Sequence, residues 1–204
     1  MIDKSSITAL ILAGGRGSRM GHVDKGLQPF RGATMAAHVL QRLAPQVGAI
    51  AINANQNLDA YAAFGAPVWP DDLEGFEGPL AGLETGLRRC VTPLMVTAPC
   101  DSPFLPADLV ARLAAALEAD GADLALAETE EAGADGVLRV QQQPVFALVK
   151  VSALPHLSAY LSAGGRRMDG WYDRIKVARV RFENADAFRN INTLRELQQF
   201  EDEP

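Results

Sequence analysis

Cysteine, histidine and positive charge are all scarce in this 204-residue chain. Its two cysteines, Cys90 and Cys100, form no C-x-x-C pair, and its three histidines have no zinc-ligand spacing. A disulfide framework and a structural zinc site are thereby excluded, and both thiols read as reduced, as in a cytoplasmic protein. With 19 Lys and Arg against 25 Asp and Glu, the formal net charge is −6. That balance argues against a general nucleic-acid or membrane surface, so an anionic substrate has to be captured by local cations. Long apolar runs are missing too: the amino terminus carries one early lysine and enters a first strand directly, which predicts neither a signal peptide nor a membrane span. There is no internal repeat, linker or low-complexity tract. With 48% apolar residues, the chain suits one compact domain over residues 1–204.

What is present is concentrated in the stretch from Ile7 to Leu27. An aliphatic run, Leu10 to Ala13, reads as a buried parallel strand. It breaks into Gly14, Gly15 and Gly17, with Arg16, Arg19 and Lys25 close by. Glycines let backbone N–H groups approach a ligand, and the cations supply the charge a triphosphate needs, so the composition is that of a phosphate cradle. It is neither of the two commonest cradles. Counting on from Gly15 and Gly17, G-x-G-x-x-G fails at Met20, and no Gly-Lys-Ser/Thr follows for a P-loop. A glycine-arginine surface loop is the plainer alternative. The position directly after a buried strand favours a ligand site, because open α/β sheets bind ligands there.

Further along, Met35, Ala36, Val39, Leu40 and Leu43 recur at helical spacing and Pro45 closes the element. A strand over Val47 to Ala54 ends in Asn53, with Asn55 to Asn57 behind it, where amides can read a base or ribose or simply build a turn. A short helix through Tyr61 to Phe64 leads to a third strand, Pro67 to Pro70. Asp71 and Asp72 follow, either as solvated charges or as acceptors for a nucleotide. The segment ending in GPLAG opens a helix with Pro79 at its first position and Leu80, Leu83 and Leu87 on one face. A fourth strand, Leu94 to Ala98, ends at Asp101. A carboxylate there suits Mg²⁺, and equally suits a helix cap.

Pro106 is expected to start a helix bearing Leu109, Val110, Leu113 and Leu117. Ala122 to Leu126 reads as a strand, and the acidic, glycine-containing segment 128–136 as a solvated excursion. Val137 to Val140 and Pro144 to Val149 read as two tightly joined antiparallel strands. Leu154 to Leu161 is helical and is ended by Gly164-Gly165. Ala178, Val180 and Phe182 alternate with Arg179 and Arg181 as in a strand with one wet face, while Arg166 and Arg167 read as surface charges. Asn192 or Thr193 caps a last helix with Leu194, Leu197 and Phe200. The alternation predicts a single Rossmann-like three-layer α/β/α domain: a mostly parallel sheet with an antiparallel excursion in its second half. Gly14, Asn53, Asp71 and Asp101 would then share one crevice at the strand carboxyl ends.

The motif LAGGRGSRMG followed by DKGL, together with GPLAG and the N-x-N-T at Asn190 to Thr193, resembles the MobA family of nucleotidyltransferases, which guanylylate molybdopterin. His22 departs from the pattern, where the family more often has glycine. The resemblance runs from the first strand to the last helix. It implies transfer of GMP from GTP to molybdenum-bearing molybdopterin with release of pyrophosphate and with Mg²⁺ as cofactor. It also implies molybdenum-inserting proteins and acceptor molybdoenzymes as further partners. By the same resemblance the backbone of Leu12, Ala13 and Gly14 would meet guanine, with Gly15 in the same GTP-binding loop. Arg16 and Arg19 would face phosphates, Lys25 would stabilise developing charge, Asn53 and Asp71 would bind the nucleoside, and Asp101 would hold the metal. Gly78, Gly82, Asn190 and Asn192 would lie near the pterin. The amino-terminal half would thus bind nucleotide and the carboxyl-terminal half contribute to the pterin site. The alternatives are a molybdopterin cytidylyltransferase, a sugar-phosphate nucleotidyltransferase, or a non-catalytic GTP-binding carrier of the cofactor.

Overall fold

A computed structural model describes residues 1–13, 24–72, 78–133 and 136–202. Its centre is β1 (Ile7–Leu12), buried along its whole length. Parallel neighbours flank it on both sides, β4 (Ala49–Asn53) and β6 (Leu94–Pro99), with Leu12 opposite Asn53 on one side and Pro99 on the other. A strand covered on both faces has no wet side, which is why its sequence is an unbroken aliphatic run. Its side chains still alternate between two cores. Ala9 and Ile11 pack with Val39, Leu43, Leu109 and Leu113 on one face, and Leu10 and Leu12 with Leu80, Leu83, Leu87 and Leu157 on the other.

The helices that cover those faces are α1 (Met35–Leu43), α2 (Leu58–Ala62), α3 (Pro79–Arg89), α4 (Leu109–Asp120), α5 (Leu154–Ser162) and α6 (Met168–Tyr172). Thr34 caps α1 by accepting from the Ala37 amide at 3.3 Å, and Pro79 takes the first position of α3 as its sequence predicts. The three-layer domain with a mostly parallel sheet is therefore as expected. The full sheet adds β5 (Val68–Trp69), β7 (Leu124–Ala132), β8 (Leu138–Lys150) and β9 (Val177–Phe182), in the order β5-β4-β1-β6-β8-β7-β9. Among the described strands of this sheet only β8 runs antiparallel to its neighbours. A small hairpin, β2 (Pro29–Phe30) with β3 (Ala33–Thr34), turns through Arg31 and Gly32, both at positive φ.

Three expectations need correction. The helix after Asp101 begins at Leu109, three residues beyond Pro106, which instead lies in the preceding loop. The acidic segment is not a solvated excursion at its start: β7 continues through Glu128 to Ala132, and β8 is one strand of 13 residues with an irregularity opposite Leu126 and Ala127. The reason is lateral. β7 lies parallel to β9, so Glu128 meets Arg179 at 2.6 Å, and Glu130 meets Arg181. Arginines that look like a wet strand face in isolation are thus partners that make mid-strand glutamates affordable.

The last helix, α7 (Leu194–Asp202), is tied down in two ways. Thr193 Oγ1 accepts from the Glu196 amide while Glu196 Oε2 accepts from the Asn192 and Thr193 amides, a reciprocal capping box. Ile191 and Leu197 then join Phe30 and Met35 in a separate small core against Phe104 and Phe200. The consequence is positional: the segment carrying Asn190 and Asn192 is held over the carboxyl end of β6.

Candidate active site

Because β1, β4 and β6 are parallel and adjacent, their carboxyl ends form one edge. The Ala13 amide donates to Asn53 O at 2.8 Å and the Cys100 amide to Leu12 O at 3.1 Å, so the three chains leave the sheet still bonded together. Gly14, Gly15, Arg16 and Arg19, expected to line this edge, lie outside the described residues, as does His22. Lys25, Asn53, Asp71 and Asp101 are within them.

Lys25 and Asp101 meet. The ammonium stands 3.2 Å from Asp101 Oδ2 and donates to Asn192 Oδ1 at 2.7 Å. Asp101 is buried, and that burial raises its carboxyl pKa, while the charge and hydrogen bond of Lys25 pull it back. An ionised carboxylate is costly in such a place. Its worth therefore lies in what it can attract, and Asn192 comes from 167 residues away to complete the group.

Asn53 and Asp71 form a second cluster. Asn53 Nδ2 donates to Trp69 O at 2.9 Å and to Asp71 Oδ1 at 2.8 Å. Asn55 Nδ2 reaches the other oxygen of Asp71 at 2.8 Å, and the Asp71 amide donates back to Asn55 Oδ1. Both oxygens of a half-buried carboxylate are thereby oriented, with lone pairs left to accept further donors. Gly82 belongs to this cluster: a Cβ there would stand 2.2 Å from Asn53 Oδ1 and 2.9 Å from Leu12 Cδ2. Only glycine lets α3 approach so closely.

The four residues expected near a pterin are therefore in two places. Gly78, the amino-terminal cap of α3, and Gly82 are on the helix that packs against Asn53, whereas Asn190 and Asn192 stand over Asp101. Asn190 Oδ1 accepts from Ser102 Oγ at 2.5 Å, and the Ile191 amide donates to Asp101 O. Beside these asparagines opens a polar cleft of about 300 Å³, lined by Glu131, Gln141, Gln143, Phe188, Arg189, Asn190 and Asn192. A larger hollow of about 640 Å³ lies at the opposite, amino-terminal end of the strands, around Cys90 to Leu94 and Lys150 to Ser152, remote from Lys25 and Asp101.

Some site residues escape a local reading. Asp24 appears in the sequence only as part of DKGL, yet it is a buried carboxylate that accepts from Tyr61 Oη at 2.5 Å and Asn57 Nδ2 at 3.0 Å. Gln141 and Gln143 read in the sequence as the joint between two strands, and no local pattern marks them as lining a cleft. Among the described residues no three His, Cys, Asp or Glu side chains group as a metal site. A lone Asp101 still fits Mg²⁺, which takes one or two carboxylates and completes its shell with water and substrate phosphates. No described helix is long and apolar enough to cross a membrane.

Residues 9–175 match the family of the MobA-like NTP transferase domain. The molybdenum cofactor guanylyltransferase of Cupriavidus necator is 60% identical over 201 residues, covering 98% of this chain and 99% of that one. The one from Bordetella pertussis is 58% identical over 201 residues, covering 98% and 100%. Among solved structures, molybdopterin-guanine dinucleotide biosynthesis protein A from Archaeoglobus fulgidus superposes with a TM-score of 0.76 at 22% identity, over 96% of this chain and 97% of that one. A CMP:2-keto-3-deoxy-manno-octonic acid synthetase reaches 0.74 at 13% identity over 98% and 97%, a likeness of fold alone. The family match over residues 9–175 and the 58–60% identity to relatives covered almost end to end settle the membership: the chain belongs to the molybdenum cofactor guanylyltransferases of the MobA-like NTP transferase family.

Proposed function

We propose that this chain transfers GMP from GTP to the terminal phosphate of molybdenum-bearing molybdopterin, forming molybdopterin guanine dinucleotide and releasing pyrophosphate. The observation that carries this reading is the Lys25–Asp101–Asn192 group, which stands between the carboxyl ends of β1 and β4 and the polar cleft. On one side lie Leu12, Ala13, Asn53 and Asp71 for the nucleoside. On the other lies the polar cleft beside Asn190 and Asn192, whose carboxamides and charges suit the hydrogen-bonding edges of a pterin. Gly82 then serves the pterin only by placing α3, since it lies against Asn53, whereas Gly78 at the start of that helix has open space around it.

The chemistry asked of the residues is modest. An ionised phosphate is already a nucleophile, so no general base is needed, and catalysis reduces to alignment and charge neutralisation. Lys25 neutralises charge that develops on the phosphate oxygens. Arg16 and Arg19 do the same for the rest of the triphosphate. Asn192 holds the Lys25 ammonium on the acceptor side. Asp101 is the residue that would hold Mg²⁺, which supplies electrostatic stabilisation to phosphates that otherwise repel one another. Molybdenum-inserting proteins and acceptor molybdoenzymes are the partners before and after this step, and the site of action is the cytoplasm.

The test is pyrophosphate release by the purified chain, with GTP or CTP, with and without molybdopterin and Mg²⁺. Release that requires GTP, the pterin and the metal together is expected. Preference for CTP would move the chain to a cytidylyl reaction, and binding of GTP without cleavage in the complete mixture would make it a carrier.

A further inference from the structure

Asp24 is a buried carboxylate that the proposed chemistry does not use, next in sequence to the lysine that it does use. Both described donors to that carboxylate are neutral, the hydroxyl of Tyr61 and the amide of Asn57. A charge buried on neutral partners is expensive, so packing alone is a poor reason to have it. Tyr61 is fully buried on α2, and burial above all, with Cys100 and Asp24 adding, raises its pKa far beyond the working range. It is a constant donor. Asn57, at φ 53° in the left-handed region that asparagine tolerates, closes the other side. The backbone carbonyl of Asp24 is held as well, by Gln28 Nε2 at 3.1 Å.

The residue on the far side of Lys25 is fixed by the same tyrosine. A Cβ at Gly26 would stand 2.5 Å from Tyr61 Oη and 3.1 Å from Cys100 Cβ, so the turn Lys25–Leu27 is wedged between α2 and the end of β6. The lysine stem has four rotatable carbons, and its ammonium falls between Asp101 and Asn192 only if its backbone is held. We propose that Asp24, gripped by Tyr61 and Asn57, is a positioning residue that sets the Lys25 ammonium beside Asp101. This rests on the role given to Lys25 above. It ties the nucleoside side of the site to the cation: Asn57 lies two residues from Asn55, which orients Asp71.

A double-mutant cycle on pyrophosphate release, with saturating molybdopterin and Mg²⁺, separates positioning from general structural support. Tyr61→Phe keeps the ring and removes only the donor to Asp24. It is expected to lower kcat about tenfold or more, as loss of a hydrogen bond to a charged group implies. The KM for GTP should stay within about twofold and the unfolding transition should be retained. In a Lys25→Ala background the same substitution should change nothing, because the lysine it positions is gone. The tenfold deficit persisting in that background would overturn the proposal, as would an unchanged kcat in Tyr61→Phe while Lys25→Ala is impaired. Full turnover by Lys25→Ala would overturn the role of Lys25 as well, which distinguishes the two failures. Should Tyr61→Phe unfold, Asn57→Gly removes the second donor while tolerating the same left-handed backbone, and it is read against the same outcomes.

Discussion

The two halves of the sheet dispose of polar groups in opposite ways. Along β1, β4 and β6 the strands are apolar, apart from threonines, and the chemistry is deferred to their carboxyl ends, at Asn53 and Asp101. Along β7 and β9 charges stand within the strands themselves, where Glu128 and Glu130 meet Arg179 and Arg181. In the second half the parallel ladder supplies Glu128 and Glu130 with guanidinium partners, and those two carboxylates are spent on the sheet itself. In the first half Asp101 has a single lysine that it shares with Asn192, and Asp71 has only neutral donors among its described partners. Incomplete local neutralisation marks the site better than the number of charges does.

Substitutions can break or sharpen that contrast. The largest effect is expected at Asp101. Asp101→Asn should leave a folded protein whose Mg²⁺-dependent turnover falls by about a hundredfold or more, the scale of one positioned charge. Metal-dependent turnover at the normal rate would mean that the incompletely neutralised carboxylate is not the metal ligand. Next comes Gly82→Ala, which pushes a methyl into Asn53 and should cost about 1–3 kcal/mol through overpacking and raise the KM for GTP. An unchanged KM with lowered stability would detach Asn53 from nucleotide binding.

In the other half, Arg179→Ala should cost about 1–3 kcal/mol by leaving buried Glu128 only its longer, 4.0 Å contact with Arg181, with kcat and KM unchanged, as denaturant unfolding beside steady-state kinetics would report. Lost turnover at full stability would place β9 in the site and abolish the distinction. The smallest effect concerns acidity. Because the folded pKa of Asp101 is raised, its contribution to stability is fully present below the unfolded value and is lost as the pH rises through the raised one. Asp101→Asn should therefore melt higher than the parent at neutral pH, and the gap should close as the pH falls through the carboxylate range. A gap of the opposite sign would show that Lys25 outweighs burial.

Much of the architecture was readable because its signals are short. Aliphatic runs, leucines at helical spacing, Pro79 and the glycine after Leu161 each act within one turn or one strand. Where the reading failed, the deciding partner was distant. Segment 128–136 looked like a solvated loop because Arg179 lies 51 residues on, and only the pairing of β7 with β9 brings it alongside. The short helix α6 went unseen, since five residues carry too little periodicity. In the site, Asp101 and Asn53 could be placed at strand ends from pattern alone, whereas Asp24 could not be told from a turn residue until Tyr61 was found above it.

Order along the chain was enough to specify alternating strands and helices, and to carry a family resemblance in contiguous motifs. It was not enough to say which carboxylates are structural and which are available. That distinction depends on burial and on partners as far apart as Lys25 and Asn192, and it arises when strands register, α7 docks on the Phe30 core and the β6 edge acquires its neighbours. Local propensity acts over a few bonds, whereas the energy of a buried charge is set by every group within several ångströms, and only the folded chain decides which groups those are.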